Sequence, residues 1–270
     1  MFRINAHGVG SVGPEIILAN AAGAEARGLP FIERMAPHER PLAVVGGGPS
    51  VLAHLDELRA FTDIWAINGT CQWLTGHGID SILFSVDPGE DMPPLCEGVE
   101  RAILASNCHP GAFDALGGKD VRIFHTFLRE DIGPEIVALR EQFAIVPGTT
   151  SACSAPLAAL RMGYKRIVYF GCEGSFAETT HSFKDEDHES QVIVRAGGKD
   201  FRTNLQFYMQ SEYLAKLCRL FPTFLCERSG GLLRAMIEHP DTWEVAALSE
   251  HLTKVLGAEP EELTVYEEKA

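Results

Sequence analysis

The chain has 270 residues, of which 46% are hydrophobic and 22% charged, as in an ordinary globular protein that can bury a large core. Its formal net charge of −14 argues against a general binder of nucleic acid or anionic membranes, because an acidic surface repels phosphate. The apolar runs are too short for a membrane span and the first residues lack a signal-peptide core, so we expect a cytoplasmic protein. Seven cysteines without a Cys-x-x-Cys pair indicate neither a disulfide framework nor a zinc knuckle.

Hydrophobic patterning predicts strands that alternate with helices. After a first helix, Glu15–Glu25, the predicted strands are Leu42–Val45, Asp63–Ile67, Ser81–Val86, Val121–Phe124, Arg166–Phe170 and Thr223–Cys226. The predicted helices between them are Val51–Ala60, Gln72–Gly78, Glu97–Ser106, Pro134–Phe143, Ser151–Met162 and Asn204–Leu220. A hairpin is predicted from Gln191–Arg195 and Asp200–Arg202, and the residues after 240 are predicted to be helical and acidic.

This alternation predicts an α/β fold, a Rossmann-like parallel sheet with helices on both faces, plus a C-terminal helical extension. We divide the chain into a preface over residues 1–40, a Rossmann-like domain over 41–240 and an acidic helical tail over 241–270. Ligands of such sheets bind beyond the carboxyl ends of the strands. The residues that directly follow each predicted strand are therefore the candidates for function.

The run Gly46-Gly47-Gly48-Pro49-Ser50 follows the first of these strands and is the strongest local signal. Three glycines let the backbone approach a ligand closely, and the start of the following helix offers free amides to a phosphate. A tight strand-to-helix turn with no ligand explains the same residues equally well. It is not a Walker A loop, because no Gly-Lys-Ser/Thr follows.

A second glycine pattern, Gly8-Val9-Gly10-Ser11-Val12-Gly13, matches G-x-G-x-x-G literally. The strand that would precede it, Phe2–Ala6, is short and half polar. The acidic residue that closes a nearby second strand in a dinucleotide site is also missing. A structural loop is therefore the favoured interpretation.

Polar residues follow three further predicted elements. Asn68 can donate and accept at the end of the second strand, or simply form an Asn-Gly turn. Asp87, after the third strand, can hold Mg²⁺ or accept from a hydroxyl, or form an Asp-Pro-Gly turn. The run Thr149-Thr150-Ser151 opens a helix and is either an anion site or ordinary N-capping.

The segment 173–189 is rich in acids and histidines and begins directly after a predicted strand. Glu173 and the acids behind it could ligate a metal or act as general acid or base, but their spacing fits no specific metal motif. A solvated loop is the default interpretation. His181 and His188 are the natural catalytic candidates there.

The ordered set of features resembles a known family. It comprises the Gly46–Ser50 turn, Trp65-Ala66-Ile67-Asn68, Ser85-Val86-Asp87, Thr149-Thr150-Ser151 and Gly171-Cys172-Glu173-Gly174-Ser175. Together these resemble the MptE-like 6-hydroxymethylpterin diphosphokinase domains and the flagellar motility accessory factors. They also resemble the related bacterial sialyltransferases that use CMP-sialic acid. The similarity runs from about residue 41 to 240.

The resemblance implies a nucleotide site in which the Gly46–Ser50 turn, Asn68, Thr150 and Ser151 contact the CMP portion. Gly47 departs from the sialyltransferases, which carry Asn there. Residues 189–203 lack the histidine that those enzymes place before the long C-terminal helix, so His181 or His188 substitutes or that chemistry is absent. A third departure is the aspartate after the third strand, which looks more like the diphosphokinase branch, whose enzymes use ATP and Mg²⁺.

The leading interpretation is a glycosyltransferase-like, nucleotide-dependent transferase with a CMP-sugar type of donor and an acceptor left open. Its phosphates would lie on the Gly46–Ser50 turn, and Asn68, Thr150, Ser151 and Ser175 would complete the nucleotide site. Asp87 and Glu173 would face the reacting phosphates, with Asp87 as the optional Mg²⁺ ligand, and His181 would be the general acid or base. The alternatives are a Mg²⁺- and ATP-dependent diphosphokinase and a non-catalytic nucleotide-binding module. Acceptor loops are expected at Pro88–Leu95 and Ala177–Ser190, and the oligomeric state is open.

Overall fold

The computed structural model describes residues 12–126, 150–176, 191–240, 242–249 and 264–266. Its helices are α1 (Pro14–Ala26), α2 (Leu55–Leu58), α3 (Thr70–Gly76), α4 (Met92–Leu95), α5 (Pro110–Ala115), α6 (Ser151–Arg161), α7 (Leu205–Leu220) and α8 (Gly231–Glu238), with a 3-10 helix over Pro49–His54. Within these residues, no helix has both the length and the hydropathy that crossing a membrane requires.

Two sheets contain the strands. They are β1 (Leu42–Val45), β2 (Asp63–Ile67), β3 (Ile82–Ser85), β4 (Arg101–Ala105), β5 (Asp120–Phe124), β6 (Ile167–Phe170), β7 (Gln191–Ala196), β8 (Lys199–Asn204), β9 (Leu225–Glu227), β10 (Glu244–Ser249) and β11 (Thr264–Tyr266). The larger sheet has seven parallel strands in the order β5-β4-β3-β2-β1-β6-β9. This confirms the predicted Rossmann-like α/β architecture.

The strand order reverses at β1. Strands β2 to β5 extend from one side of β1, whereas β6 and then β9 lie on the other side. In an open parallel sheet, such a reversal leaves a crevice at the carboxyl ends of the two strands, where ligands bind. The fold therefore directs attention to the residues after β1 and β6.

The central strands are buried on both faces, as their continuous apolar sequences predict. Every residue of β1 and β6 is buried. On neighbouring strands, the Trp65 ring stacks on Phe84 with centroids 5.0 Å apart. The core thus fixes the strands whose ends form the crevice.

Tyr169 satisfies a carbonyl that a proline leaves without its helical partner. Pro156 lies inside α6 and has no N–H for the carbonyl of Ala152, four residues earlier. The Tyr169 hydroxyl instead donates to that carbonyl at 2.8 Å, and Tyr169 is fully buried.

We expect Tyr169→Phe to lower the free energy of unfolding by about 2 kcal/mol, because the carbonyl would lose its donor in the core. Urea denaturation measures this, and an unchanged midpoint would contradict it.

The second sheet has the order β11-β10-β7-β8. Strands β7 and β8 form the predicted hairpin, with Gly197 and Gly198 in its turn, both at positive φ. Strand β10 pairs antiparallel with β7, and β11 pairs parallel with β10. The prediction of a helical extension is therefore wrong for residues 244–249 and 264–266. In β10, exposed Glu244 precedes buried Val245, the alternation of a half-buried strand rather than of a helix.

Two other predicted helices differ in the structure. The helix predicted over Glu97–Ser106 is wrong, because Arg101–Ala105 forms β4 between β3 and β5. A short apolar run fits a buried strand as well as a helix, and here strand pairing decides. The helix predicted over Val51–Ala60 divides into the 3-10 helix and α2. The helix predicted over Pro134–Phe143 lies outside the described residues.

Candidate functional site

The turns after β1 and β6 approach each other more closely than any side chain would permit. The Gly46 amide donates to the Phe170 carbonyl at 2.8 Å, and the Gly48 amide donates to the Gly171 carbonyl at 2.8 Å. A Cβ on Gly46 would lie 2.5 Å from that Gly171 oxygen, and a Cβ on Gly171 would overlap the Gly46 oxygen. Gly171 also has a φ of +63°. Glycine is therefore required here by the backbone itself.

The carboxylate of Glu173 occupies the start of the 3-10 helix. The Ser50 amide donates to Glu173 Oε1 at 2.5 Å, and a Cβ on Gly48 would overlap Oε2. This is where the sequence predicts a donor phosphate. A phosphate bound to the same amide would lie within about 4 Å of the carboxylate, where two like charges repel by about 4 kcal/mol at an effective dielectric constant of 20. A phosphate can take this amide only after Glu173 moves away.

The turn between β9 and α8 holds Glu173 from its other side. A Cβ on Gly231, whose φ is +58°, would lie 2.7 Å from Glu173 Cβ. The Leu233 amide donates to the Glu173 carbonyl at 2.9 Å, and the preceding amide of Cys172 donates to Ser229 Oγ at 2.9 Å. Glu173 is thus clamped between two glycine turns.

Burial dominates the electrostatics of Glu173. The residue is 8% exposed, and this burial raises the pKa of its carboxyl above the ordinary value. The hydroxyl and amide of Ser50 oppose the increase by stabilising the charged form, and the nearby Glu227 carboxylate adds to it. Glu173 Oε2 is buried without a hydrogen-bond partner. A buried carboxylate oxygen without a donor lowers stability even where the other oxygen is hydrogen-bonded, so Oε2 requires an explanation.

Asn68 follows β2 and adopts the left-handed conformation, with a φ of +50°. Asparagine tolerates this conformation better than most residues, so the Asn-Gly turn that the sequence allowed is present. Its Oδ1 is buried and has no hydrogen-bond partner. A role in ligand binding stays a prediction.

Asp87 closes the Asp-Pro-Gly turn after β3. Its Oδ1 accepts from the Gly89 amide at 2.9 Å, and its own amide donates to Ser85 Oγ at 3.1 Å. Among the described residues, no group of three or more His, Cys, Asp or Glu side chains could hold a metal ion. A single carboxylate can still share Mg²⁺ with a bound nucleotide, so metal ligation by Asp87 stays a prediction.

The hydroxyls at the start of α6 have partners within the protein. Thr150 Oγ1 accepts from the Cys153 amide at 3.4 Å as the N-cap, and it donates to Gln210 Oε1 at 2.8 Å. Ser151 Oγ accepts from the Val86 amide at 3.1 Å. N-capping is therefore present, and Ser151 is joined to the carboxyl end of β3. Ser175 Oγ similarly accepts from the Leu232 amide at 3.2 Å.

A buried polar network that the sequence analysis missed joins the ends of β3, β4 and β5. Fully buried Asn107 donates to the Val86 carbonyl at 2.9 Å and accepts from Thr126 Oγ1 at 2.8 Å. The backbone carbonyl of Asn107 accepts from the side-chain amide of Asn20 in α1 at 3.1 Å. The wrong helix prediction over residues 97–106 hid this strand end. Thr126, in contrast, follows a correctly predicted strand closely and could have been noticed.

We expect Asn107→Ala to lower the free energy of unfolding by about 3 kcal/mol, because it leaves the Val86 carbonyl and the Thr126 hydroxyl buried without partners. Asn20→Ala is the matched control. It removes one hydrogen bond of the same network and should lower the free energy by only about 1 kcal/mol. Urea denaturation of both variants measures the difference. Equal losses of free energy would show that the Asn107 side chain does not hold the network together.

Other predicted candidates are not placed by the structure. His181, His188 and the acceptor loop Ala177–Ser190 lie outside the described residues, as does most of the glycine pattern over 8–13. The described end of that pattern, Gly13, directly precedes α1. Helix α1 lies against α5, where Arg27 forms an ion pair with Asp114 at 2.7 Å. In the other acceptor loop, Met92–Leu95 forms α4.

The fold is similar to that of a solved MAf glycosyltransferase from Magnetospirillum magneticum AMB-1. The two align with a TM-score of 0.63 and 18% sequence identity over 83% of this chain. This chain spans 37% of the length of that protein. No model of a known protein family matches the sequence, and comparison with curated proteins gives no significant match. At this level of identity, the likeness establishes a shared fold.

Proposed function

We propose that the chain is a glycosyltransferase-like transferase that binds a nucleotide-sugar donor of the CMP type at the β1–β6 crevice. The observation that carries the proposal is the position of Glu173. A buried carboxylate with a partnerless oxygen lies at the strand-order reversal, where ligands of this fold class bind. The fold that the chain shares with a solved glycosyltransferase supports the same class of reaction.

The proposed nucleotide site consists of elements from three strand ends and one helix. The Gly46–Ser50 turn, including Gly47 and Pro49, forms its floor. Asn68 lies on the β2 side, and Ser175 follows Glu173 two residues later in the chain. Thr150 and Ser151 border it at the start of α6, which Ser151 joins to β3. We assign the donor nucleotide to this edge of the sheet.

In the proposed transfer, an acceptor hydroxyl attacks the anomeric carbon of the donor sugar. The bond from that carbon to the phosphate oxygen breaks, and CMP leaves with the bonding electrons. The proton of the hydroxyl passes to a general base, and we assign this role to His181. Asp87 lies at the end of β3 as an acceptor for sugar hydroxyls.

Binding of nucleotides tests the proposal. CMP, CDP, ATP and GTP are titrated by thermal shift, with and without Mg²⁺. A ligand at one hundred times its dissociation constant adds about 2.7 kcal/mol to stability. We expect CMP to raise the melting temperature without Mg²⁺. A shift with ATP that requires Mg²⁺ would favour the diphosphokinase, and no shift with any nucleotide would contradict the proposal.

His181→Ala should reduce transfer from a CMP-sugar at least about 100-fold, because the acceptor hydroxyl would lose its general base. The affinity for CMP should stay unchanged. His188→Ala is the matched control from the same segment and should keep most of the activity. Sugar transfer or donor hydrolysis is measured by CMP release. A wild-type chain that binds CMP but never releases it from a CMP-sugar would support the non-catalytic module instead.

A further inference from the structure

Glu173 changes what the glycine turn can bind. Turns of this kind hold phosphate because their amides face an empty, anion-sized space. In this chain, the space at the Ser50 amide contains the Glu173 carboxylate, which the Gly231 turn holds in place. The chain therefore provides its own anion at this position.

The buried polar atoms without hydrogen-bond partners around the crevice include two acceptors and one hydroxyl, Ser50 Oγ. Glu173 Oε2 lies after β6 and Asn68 Oδ1 lies after β2, and both are without hydrogen-bond partners. Strands β2 and β6 flank β1, so their ends are about 10 Å apart, which is the scale of one nucleoside. A carboxylate oxygen accepts hydrogen bonds and cannot donate them when ionised. A ligand hydroxyl both donates and accepts, so it suits these two acceptors and the Ser50 hydroxyl together.

We propose that the β1–β6 crevice holds a neutral, hydroxyl-bearing part of the ligand, the ribose of its nucleotide, with Glu173 as the acceptor and the ligand phosphate outside the Gly46–Ser50 turn. This inference rests on the proposed function. An acidic side chain also accepts from ribose hydroxyls in dinucleotide sites, where it follows the second strand of the unit. Here the acid follows β6, on the opposite side of β1.

The proposal predicts how ligand parts bind to the wild-type chain. Cytidine, which has no phosphate, should bind measurably and compete with CMP. Inorganic pyrophosphate should compete poorly. CMP that lacks its 2′ or its 3′ hydroxyl should bind at least about 10-fold more weakly than CMP in one of the two cases, as expected for a hydrogen bond to a charged acceptor. These titrations require no variant and so do not depend on the folding of a mutant.

Glu173→Gln provides the second arm. The matched control is Glu57→Gln, which removes an exposed carboxylate that contacts His54 of the 3-10 helix at 3.1 Å. In Glu173→Gln, removing that ribose hydroxyl from CMP should weaken binding by less than about 3-fold. Pyrophosphate should bind to this variant about 10-fold more tightly than to the wild type. Glu57→Gln should change neither. An unchanged hydroxyl preference in Glu173→Gln, or pyrophosphate that competes strongly in the wild type, would overturn the inference while CMP binding upholds the proposed function. A chain that does not bind CMP overturns both.

Discussion

Replacing Gly171 with alanine is expected to lower the free energy of unfolding by about 3 kcal/mol, the largest effect we predict for a single methyl group in this chain. The left-handed φ of +63° disfavours alanine, and the new Cβ would overlap the Gly46 carbonyl oxygen. That oxygen cannot retreat easily, because hydrogen bonds from Gly46 and Gly48 tie the two turns together. Urea denaturation at neutral pH measures the loss.

Gly118→Ala is the matched control for this substitution. Gly118 also has a positive φ, +79°, but a Cβ added there would meet no atom within 4 Å. It should therefore lower the free energy of unfolding by only about 1 kcal/mol, the cost of the left-handed conformation. Equal free energies of unfolding for the two glycine variants would show that the β1 and β6 turns do not approach each other as closely as described.

The second large effect concerns the pH dependence of stability. Because burial raises the pKa of Glu173 in the folded chain, the folded state binds its proton more tightly than the unfolded state does. The stabilisation from this group is complete below the ordinary pKa of glutamate and is lost as pH rises through the folded pKa. The wild type should thus lose this contribution as pH rises above about 4.

Glu173→Gln should remove that part of the pH dependence. At pH 7, the variant should be more stable than the wild type by about 1–3 kcal/mol, because a buried charge with a partnerless oxygen is replaced by a neutral amide. At pH 4 the two should be nearly equal. Urea denaturation across this range gives the difference curve, in which titrations common to both proteins cancel. Parallel stability curves would contradict a buried carboxyl at residue 173 whose pKa is raised by folding.

An increase in stability when the Glu173 carboxylate is removed would point to a role of this residue in ligand binding. A side chain that lowers stability in the unliganded chain is expected at a binding site, where a ligand supplies the missing partner. The same variant should then be more stable and less selective for ribose. This combination would distinguish a binding residue from a structural one.

The sequence was sufficient to predict the strands that build the site. Strands β1, β2, β3 and β6 are short apolar runs bounded by glycine or polar turns, and burial on both faces requires this pattern. Strand β4 was missed because its run, Arg101–Ala105, also fits a helix, and its pairing with β3 and β5 is a long-range property. The error hid Asn107 and its network.

The position of the Glu173 carboxylate could not be derived from local pattern. Its contact with Ser50 joins residues 123 positions apart in the chain, and it depends on how closely the β1 and β6 turns meet. The sequence of the glycine turn is compatible with a bound phosphate and with a carboxylate of the chain, so it does not distinguish the two. Likewise, the alternation in β10 became clear only through its pairing with β7.

A crystal structure of the chain with CMP bound tests the central claim most directly. We predict that CMP lies in the crevice between β1 and β6, with a ribose hydroxyl within hydrogen-bond distance of the Glu173 carboxylate and its phosphate away from the Ser50 amide. CMP bound elsewhere, for example beside Gly8–Gly13, or bound with its phosphate on the Ser50 amide in place of Glu173, would contradict the account.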